Sequence, residues 1–153
     1  MGSDASKTAA ELDAFRRFIE AEKYPIDVAS IKKLEGSNKP DFFCRTLPGE
    51  ELAFEVTALC AEDLARMIAR AGQEPDAFTW TSDPTERIVR GKMHKSYDMD
   101  LPIELLCYWD GRTVSTDDMI VPTIEAMVNS GRNPFRRVWY HGEEDVHLVY
   151  GAR

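Results

Sequence analysis

The sequence predicts a single α/β domain, a mixed β-sheet with helices on its faces, and three observations carry that expectation. The chain has 153 residues, the length of one ordinary domain. Helical and strand-like periodicities follow one another as helix, three strands, two helices, strand, helix and two strands. The segment from Ile103 to Trp109 is apolar except for Glu104, the signature of a central strand covered on both faces. An early antiparallel meander followed by a helical crossover to that strand gives a mixed sheet.

Residues 1–7 are polar and read as a disordered lead-in, with no basic start and apolar run of a signal peptide, so the domain is expected to span 8–153. Thr8 and Glu11 have capping-box spacing, and Leu12, Phe15, Phe18 and Ile19 form the apolar stripe of a first helix ending near Glu22, before Tyr24-Pro25. Ile26 to Leu34 alternates as a half-buried strand, and Gly36-Ser37-Asn38 turns the chain. Two further strands, Asp41 to Leu47 and Leu52 to Leu59, flank Pro48-Gly49, the pair expected at the centre of a type II turn. Leu64, Met67, Ile68 and Ala71 mark a helix from about Ala61 that stops at Gly72. Gln73 to Ser82 reads as a polar connector. Asp83-Pro84 then opens a helix reaching about Tyr97. After the apolar strand, a helix is expected from near Pro122 to Gly131, and Val138 to His141 with Val146 to Tyr150 form an edge hairpin.

Composition excludes several classes. The chain is 43% apolar and 30% charged, which is globular rather than disordered, and its net charge of −8 argues against a protein that coats DNA through bulk charge. No run of about 18 apolar residues exists, so no membrane span is expected. Cys44, Cys60 and Cys107 are odd in number and lack CxxC spacing, which fits buried, reduced thiols in a cytoplasmic protein. His94, His141 and His147 are scattered and pair with no cysteine at zinc spacing.

The chemistry concentrates on the two strands around Pro48-Gly49. A turn centred there puts Asp41 across from Val56 or Thr57 and within about 5–8 Å of Glu55. Two converging carboxylates suit a hard divalent cation, since Mg²⁺ takes one or two of them and keeps waters. The plainer reading makes Glu55 a surface-facing strand acid and Asp41 a turn residue. The helix after Pro84 carries Arg87, Arg90, Lys92 and Lys95 against Glu86, a local +3 in an acidic chain. Ile88, Lys92 and Lys95 share a stripe, so a lysine lies beside the buried face. A solvated helix face accounts for the same charges.

Lys39-Pro40-Asp41-Phe42-Phe43, Phe54-Glu55-Val56-Thr57 and Lys92-Met93-His94-Lys95, ahead of the strand from Ile103, together resemble the PD-(D/E)xK nuclease superfamily. The resemblance spans about Leu12 to Tyr108 and implies a restriction-endonuclease-like core of helix, three-stranded meander, helix and strand, here followed by a C-terminal helix and hairpin. It implies that Asp41 and Glu55 are ligands for Mg²⁺ or Mn²⁺. Thr57 stands where the family carries lysine, and Lys92 or Lys95 from the following helix would fill that role. The family's acid from the first helix falls on Glu22, because the capping box already accounts for Glu11. Arg87 and Arg90 would meet the substrate.

Other sites are less well supported. There is no G-x-S-x-G, P-loop or G-x-G-x-x-G. Trp109, Trp139 and Tyr140 read as core rather than base-stacking platforms. Arg132, Arg136 and Arg137 form a second basic cluster that suits either phosphate or a solvated loop. Two functions therefore stand: metal-dependent phosphodiester hydrolysis on nucleic acid, or a non-catalytic module of the same fold that binds a protein partner, as an inhibitor or immunity-type protein does.

Overall fold

The computed structural model describes residues 2–81 and 83–153; Met1 of the expected lead-in and Ser82 of the expected connector lie outside them. Six strands form one mixed sheet in the order β1 to β6: β1 (Ile26–Lys33), β2 (Phe42–Thr46), β3 (Glu51–Ala58), β4 (Ile103–Tyr108), β5 (Arg137–His141) and β6 (Val146–Tyr150). β1, β2 and β3 are antiparallel neighbours, β3, β4 and β5 run parallel, and β6 returns antiparallel at the edge.

Alternation along the strands supplies both faces with apolar side chains. Phe54, Val56, Leu106 and Trp139 point to one face and are covered by Phe15 and Phe18 of helix α1 (Gly2–Glu22). Phe18 meets Trp139 edge-on with ring centroids 5.1 Å apart. On the other face Ala53, Leu105, Cys107 and Val138 pack under helices α2 (Ala61–Arg70), α4 (Thr85–His94) and α5 (Asp117–Val128). All three cysteines are free and buried, and burial pushes each thiol up to about 12. No helix among the described residues is long and apolar enough to cross a membrane.

The element boundaries differ from the sequence expectation in four places. First, α1 starts at Gly2 instead of Thr8 and takes in most of the expected lead-in, where Ala5, Lys7, Ala9 and Ala10 are good helix formers. It ends in a Schellman turn: Lys23 adopts φ +57, its N–H bonds the Glu20 carbonyl, and the Tyr24 N–H reaches the Ile19 carbonyl at 3.1 Å. Second, the connector contains a short helix α3 (Ala77–Thr81), whose first turn is held by Asp76 accepting from the Thr79 N–H and hydroxyl. Third, α4 stops at His94 rather than Tyr97. Lys95 is extended and Tyr97 turns its ring onto Phe135. Fourth, α5 begins at Asp117, with Pro122 inside it. Two acids in the first turn, Asp117 and Asp118, are the helix-start signal that Pro122 obscured.

The β2–β3 turn closes one position earlier than expected. The Gly49 N–H bonds the Thr46 carbonyl at 2.9 Å, with Gly49 at φ +118. Phe42 therefore pairs with Phe54, and the register carries Asp41 beside Glu55 instead of Val56 or Thr57.

A candidate acid–lysine site

A cleft of about 700 Å³ opens where the start of α1, the end of β1, the 35–41 loop, α2 and α4 meet around β3. Its walls carry seven Lys or Arg and four Asp or Glu side chains, so they are locally positive in a chain of −8. Gly91 on α4 allows α2 to approach: a Cβ there would lie 2.8 Å from the Met67 sulfur.

Glu55 lies beneath the cleft, behind the lining residues Lys92 and Lys95 and not itself among them. It points from β3 to the α4 side and is only 2% exposed. Lys92 Nζ donates to its Oε2 at 2.8 Å, and Lys95 Nζ stands 3.6 Å from the same oxygen. Burial pushes the Glu55 carboxyl up, but the ammonium charges of Lys92 and Lys95 together outweigh burial and hold it below its ordinary value. Burial likewise pulls Lys92 down, and the carboxylates of Glu55 and Asp41 more than reverse it, so Lys92 stays an ammonium. Glu55 Oε1 and the Tyr97 hydroxyl are buried without a well-formed hydrogen bond among the described residues, although the hydroxyl lies against the Glu55 carboxylate.

Asp41 lies just before β2. Its Oδ2 accepts from the Val56 N–H at 2.8 Å, and Lys33 Nζ is 3.6 Å from Oδ1. Burial and the neighbouring Glu55 charge raise its carboxyl above the ordinary range. Glu11 lines the same cleft from α1, 3% exposed and paired with Lys7. Burial and Asp41 push it up to about 7. Of these neighbouring acids Glu55 is the one held low, while burial raises Asp41 and Glu11.

The remaining residues sort clearly. Lys92 and Lys95 both reach Glu55. Thr57 lines the cleft, but its hydroxyl donates to Asp63 Oδ2 at 3.0 Å, and that carboxylate also takes the Ala58 N–H. Glu22 does not join the site: it sits at the opposite end of α1, bonded by Arg153 at 2.7 Å beside a separate cavity of about 370 Å³. Arg87 and Arg90 do not line the cleft either. The Arg87 guanidinium lies over Phe78 with its carbon 5.6 Å from the ring centre, and Arg90 pairs with Glu86 across one helical turn. Arg136 and Arg137 are drawn to Glu104, which dissolves the second basic cluster, and Trp139 and Tyr140 are core.

Sequence reasoning missed Glu11, Asp63 and Lys33. For Glu11 a signal existed: Glu11 and Glu22 bound the same Phe15–Phe18 stripe, and a helix that starts at Gly2 does not need Glu11 for a cap.

The donor chemistry fits a hard divalent cation. Asp41 and Glu55 offer neighbouring carboxylate oxygens, and Glu55 Oε1 accepts no well-formed hydrogen bond among the described residues, with the Tyr97 hydroxyl beside the carboxylate. Among the described residues no three His, Cys, Asp or Glu side chains converge on one point, so waters or substrate oxygens would complete the shell. Compared with known proteins, the chain matches no family model, no curated protein and no solved structure.

Proposed function

We propose that the cleft hydrolyses phosphodiester bonds of nucleic acid in a metal-dependent reaction, in the manner of the PD-(D/E)xK nucleases that Asp41, Glu55 and the α4 lysines resemble. The observation that carries this reading is the buried Glu55, held by Lys92 on one oxygen and with only the Tyr97 hydroxyl near its carboxylate besides, next to Asp41 and beneath basic walls. In this reading Asp41 and Glu55 hold Mg²⁺ or Mn²⁺, which supplies a positioned water and offsets charge on the phosphoryl group. Lys92, kept protonated by two carboxylates, is a fixed cation and donor and not a base. It takes the place that Thr57, tied to Asp63, leaves to the following helix. Glu11, at about 7, is the acid in the cleft suited to exchanging a proton near neutral pH.

The test is incubation of the chain with single- and double-stranded DNA and RNA in Mg²⁺ or Mn²⁺. Asp41→Asn and Glu55→Gln are each expected to lower cleavage by about 10²-fold or more, the scale of losing a charge-stabilising group. Cleavage by both variants at the parent rate, or by none of the proteins, overturns the reading.

One observation favours a second reading. Lys92 already neutralises Glu55, as an internal ion pair does in a non-catalytic protein-binding module of the same fold. Calorimetry separates the two: Mn²⁺ uptake lost in Asp41→Asn belongs to the nuclease, and no uptake belongs to the binding module.

A further inference from the structure

We infer that the strand admitted to this cleft is single-stranded, gripped by its phosphates with its bases left outside; this rests on the phosphodiesterase reading above. Three features of the cleft lead there.

The first is depth. Glu55 and Thr57 are 2% and 3% exposed, and only 18% of the Asp41 side chain is open. A phosphate must descend between α1 and α4 to reach them. Duplex DNA is a stiff rod with a persistence length of about 50 nm, and it cannot fold a single phosphate into such a recess without local melting. A flexible single strand can.

The second is size. A volume of about 700 Å³ falls in the range that holds one drug-sized ligand, which is room for a very short run of nucleotides and none for a helix.

The third is lining. No Phe, Tyr or Trp lines the cleft among the described residues and His94 supplies its one ring, so there is no row of platforms on which successive bases would stack. The rim instead presents cations: Lys33 and Lys95 are each 3.6 Å from their carboxylates, Lys39 donates to the Asp98 carbonyl at 2.7 Å, and Arg70 makes no ion pair among the described residues. Such cations follow a phosphate backbone and ignore sequence. In a chain of −8, seven cations against four acids make this cleft a locally positive surface for a polyanion.

Fluorescence anisotropy tests this with labelled single-stranded DNA, single-stranded RNA and a blunt duplex of matched sequence, in EDTA so that nothing is cut. Single strands are expected to bind about tenfold tighter than the duplex. Log K should fall against log salt with a slope of about −2, as three phosphate contacts on a single strand give. The double variant Lys39→Glu/Arg70→Glu is expected to weaken single-strand binding about tenfold or more, and Arg17→Glu, on the outer face of α1, to leave it unchanged. The DNA and RNA arms show which sugar is accepted. Duplex bound as tightly as single strand, or cut as fast once Mg²⁺ is added, overturns the single-strand inference and leaves the phosphodiesterase standing. Strand preference without cleavage supports the inference and removes the enzyme. Absence of binding to every polynucleotide overturns both.

Discussion

Glu55 and Glu104 are both buried acids on adjacent parallel strands, one position apart in register and facing opposite sides of the sheet. Glu104 is saturated. Its Oε2 accepts from the Tyr24 hydroxyl at 2.9 Å, from Arg136 Nη2 at 2.8 Å and from Arg137 Nη1 at 2.6 Å, and its Oε1 accepts from Trp139 Nε1 at 2.8 Å. Those donors come from the end of α1 and from β5, so one carboxylate ties three elements together. Arg136 continues outward to Glu50 at the β2–β3 turn. Glu55 is less fully bonded, with one oxygen served by lysines and only the Tyr97 hydroxyl, outside regular hydrogen-bond geometry, beside its carboxylate otherwise. A saturated buried acid stabilises the fold and offers no open coordination position. An unsaturated one costs desolvation energy that a binding site recovers only when a ligand arrives. That contrast distinguishes scaffold from site in this molecule more sharply than burial does.

The largest expected effect comes from breaking the saturated acid. In Glu104→Gln the amide NH₂ must face an N–H or O–H donor whichever way it is turned, Arg137 loses its counter-charge, and Arg136 is left with Glu50 alone. A loss of about 3–5 kcal/mol is expected, measured by urea unfolding. A loss below that of the Glu55 variant would erase the comparison.

Next comes the pH dependence around the cleft. Glu11 has its folded pKa raised to about 7 from an ordinary 4.5, so between those values the folded chain binds more protons than the unfolded one. Its contribution therefore makes stability fall as pH rises from about 4.5 to 7, by about 2 kcal/mol after allowance for its coupling to Asp41. Glu55, held low, works in the opposite sense: its stabilisation is present above the unfolded value and lost as pH falls through its folded value. Unfolding of Glu11→Gln across this window is expected to show a much flatter slope. An unchanged slope would place the proton elsewhere.

The smallest stability change is expected from Glu55→Gln. Its carbonyl still accepts from Lys92, Asp41 stays as a counter-charge to that ammonium, and its NH₂ takes the Oε1 position, where the Tyr97 hydroxyl oxygen accepts from it. Unfolding should shift by only about 1 kcal/mol. A cost equal to that of Glu104→Gln would make Glu55 scaffold as well.

Much of this was legible in the residues. The Phe15–Phe18–Ile19 stripe, the three-stranded meander and the buried run from Ile103 follow from local periodicity, and the structure carries all three. The convergence of Asp41 and Glu55 was readable because strand pairing is a short-range consequence of one turn, although the turn closed a residue earlier. What could not be read was anything set by distance in space. Glu11 and Glu22 sit at opposite ends of the same helical stripe, and only the direction in which α1 crosses the sheet decides that Glu11 meets Asp41 while Glu22 meets Arg153.

The same division runs through the basic residues. Sequence by itself determined that a +3 segment follows the acid-bearing strands, because charge and periodicity are properties of contiguous residues. Tertiary structure decided that Lys92 and Lys95 turn to Glu55 while Arg87 and Arg90 turn away. It also decided that Arg136 and Arg137 neutralise Glu104 instead of greeting a phosphate. The physical reason is common to both outcomes. A carboxylate buried in a sheet must find a cation, and which cation it finds depends on the packing of helices and strands many residues away.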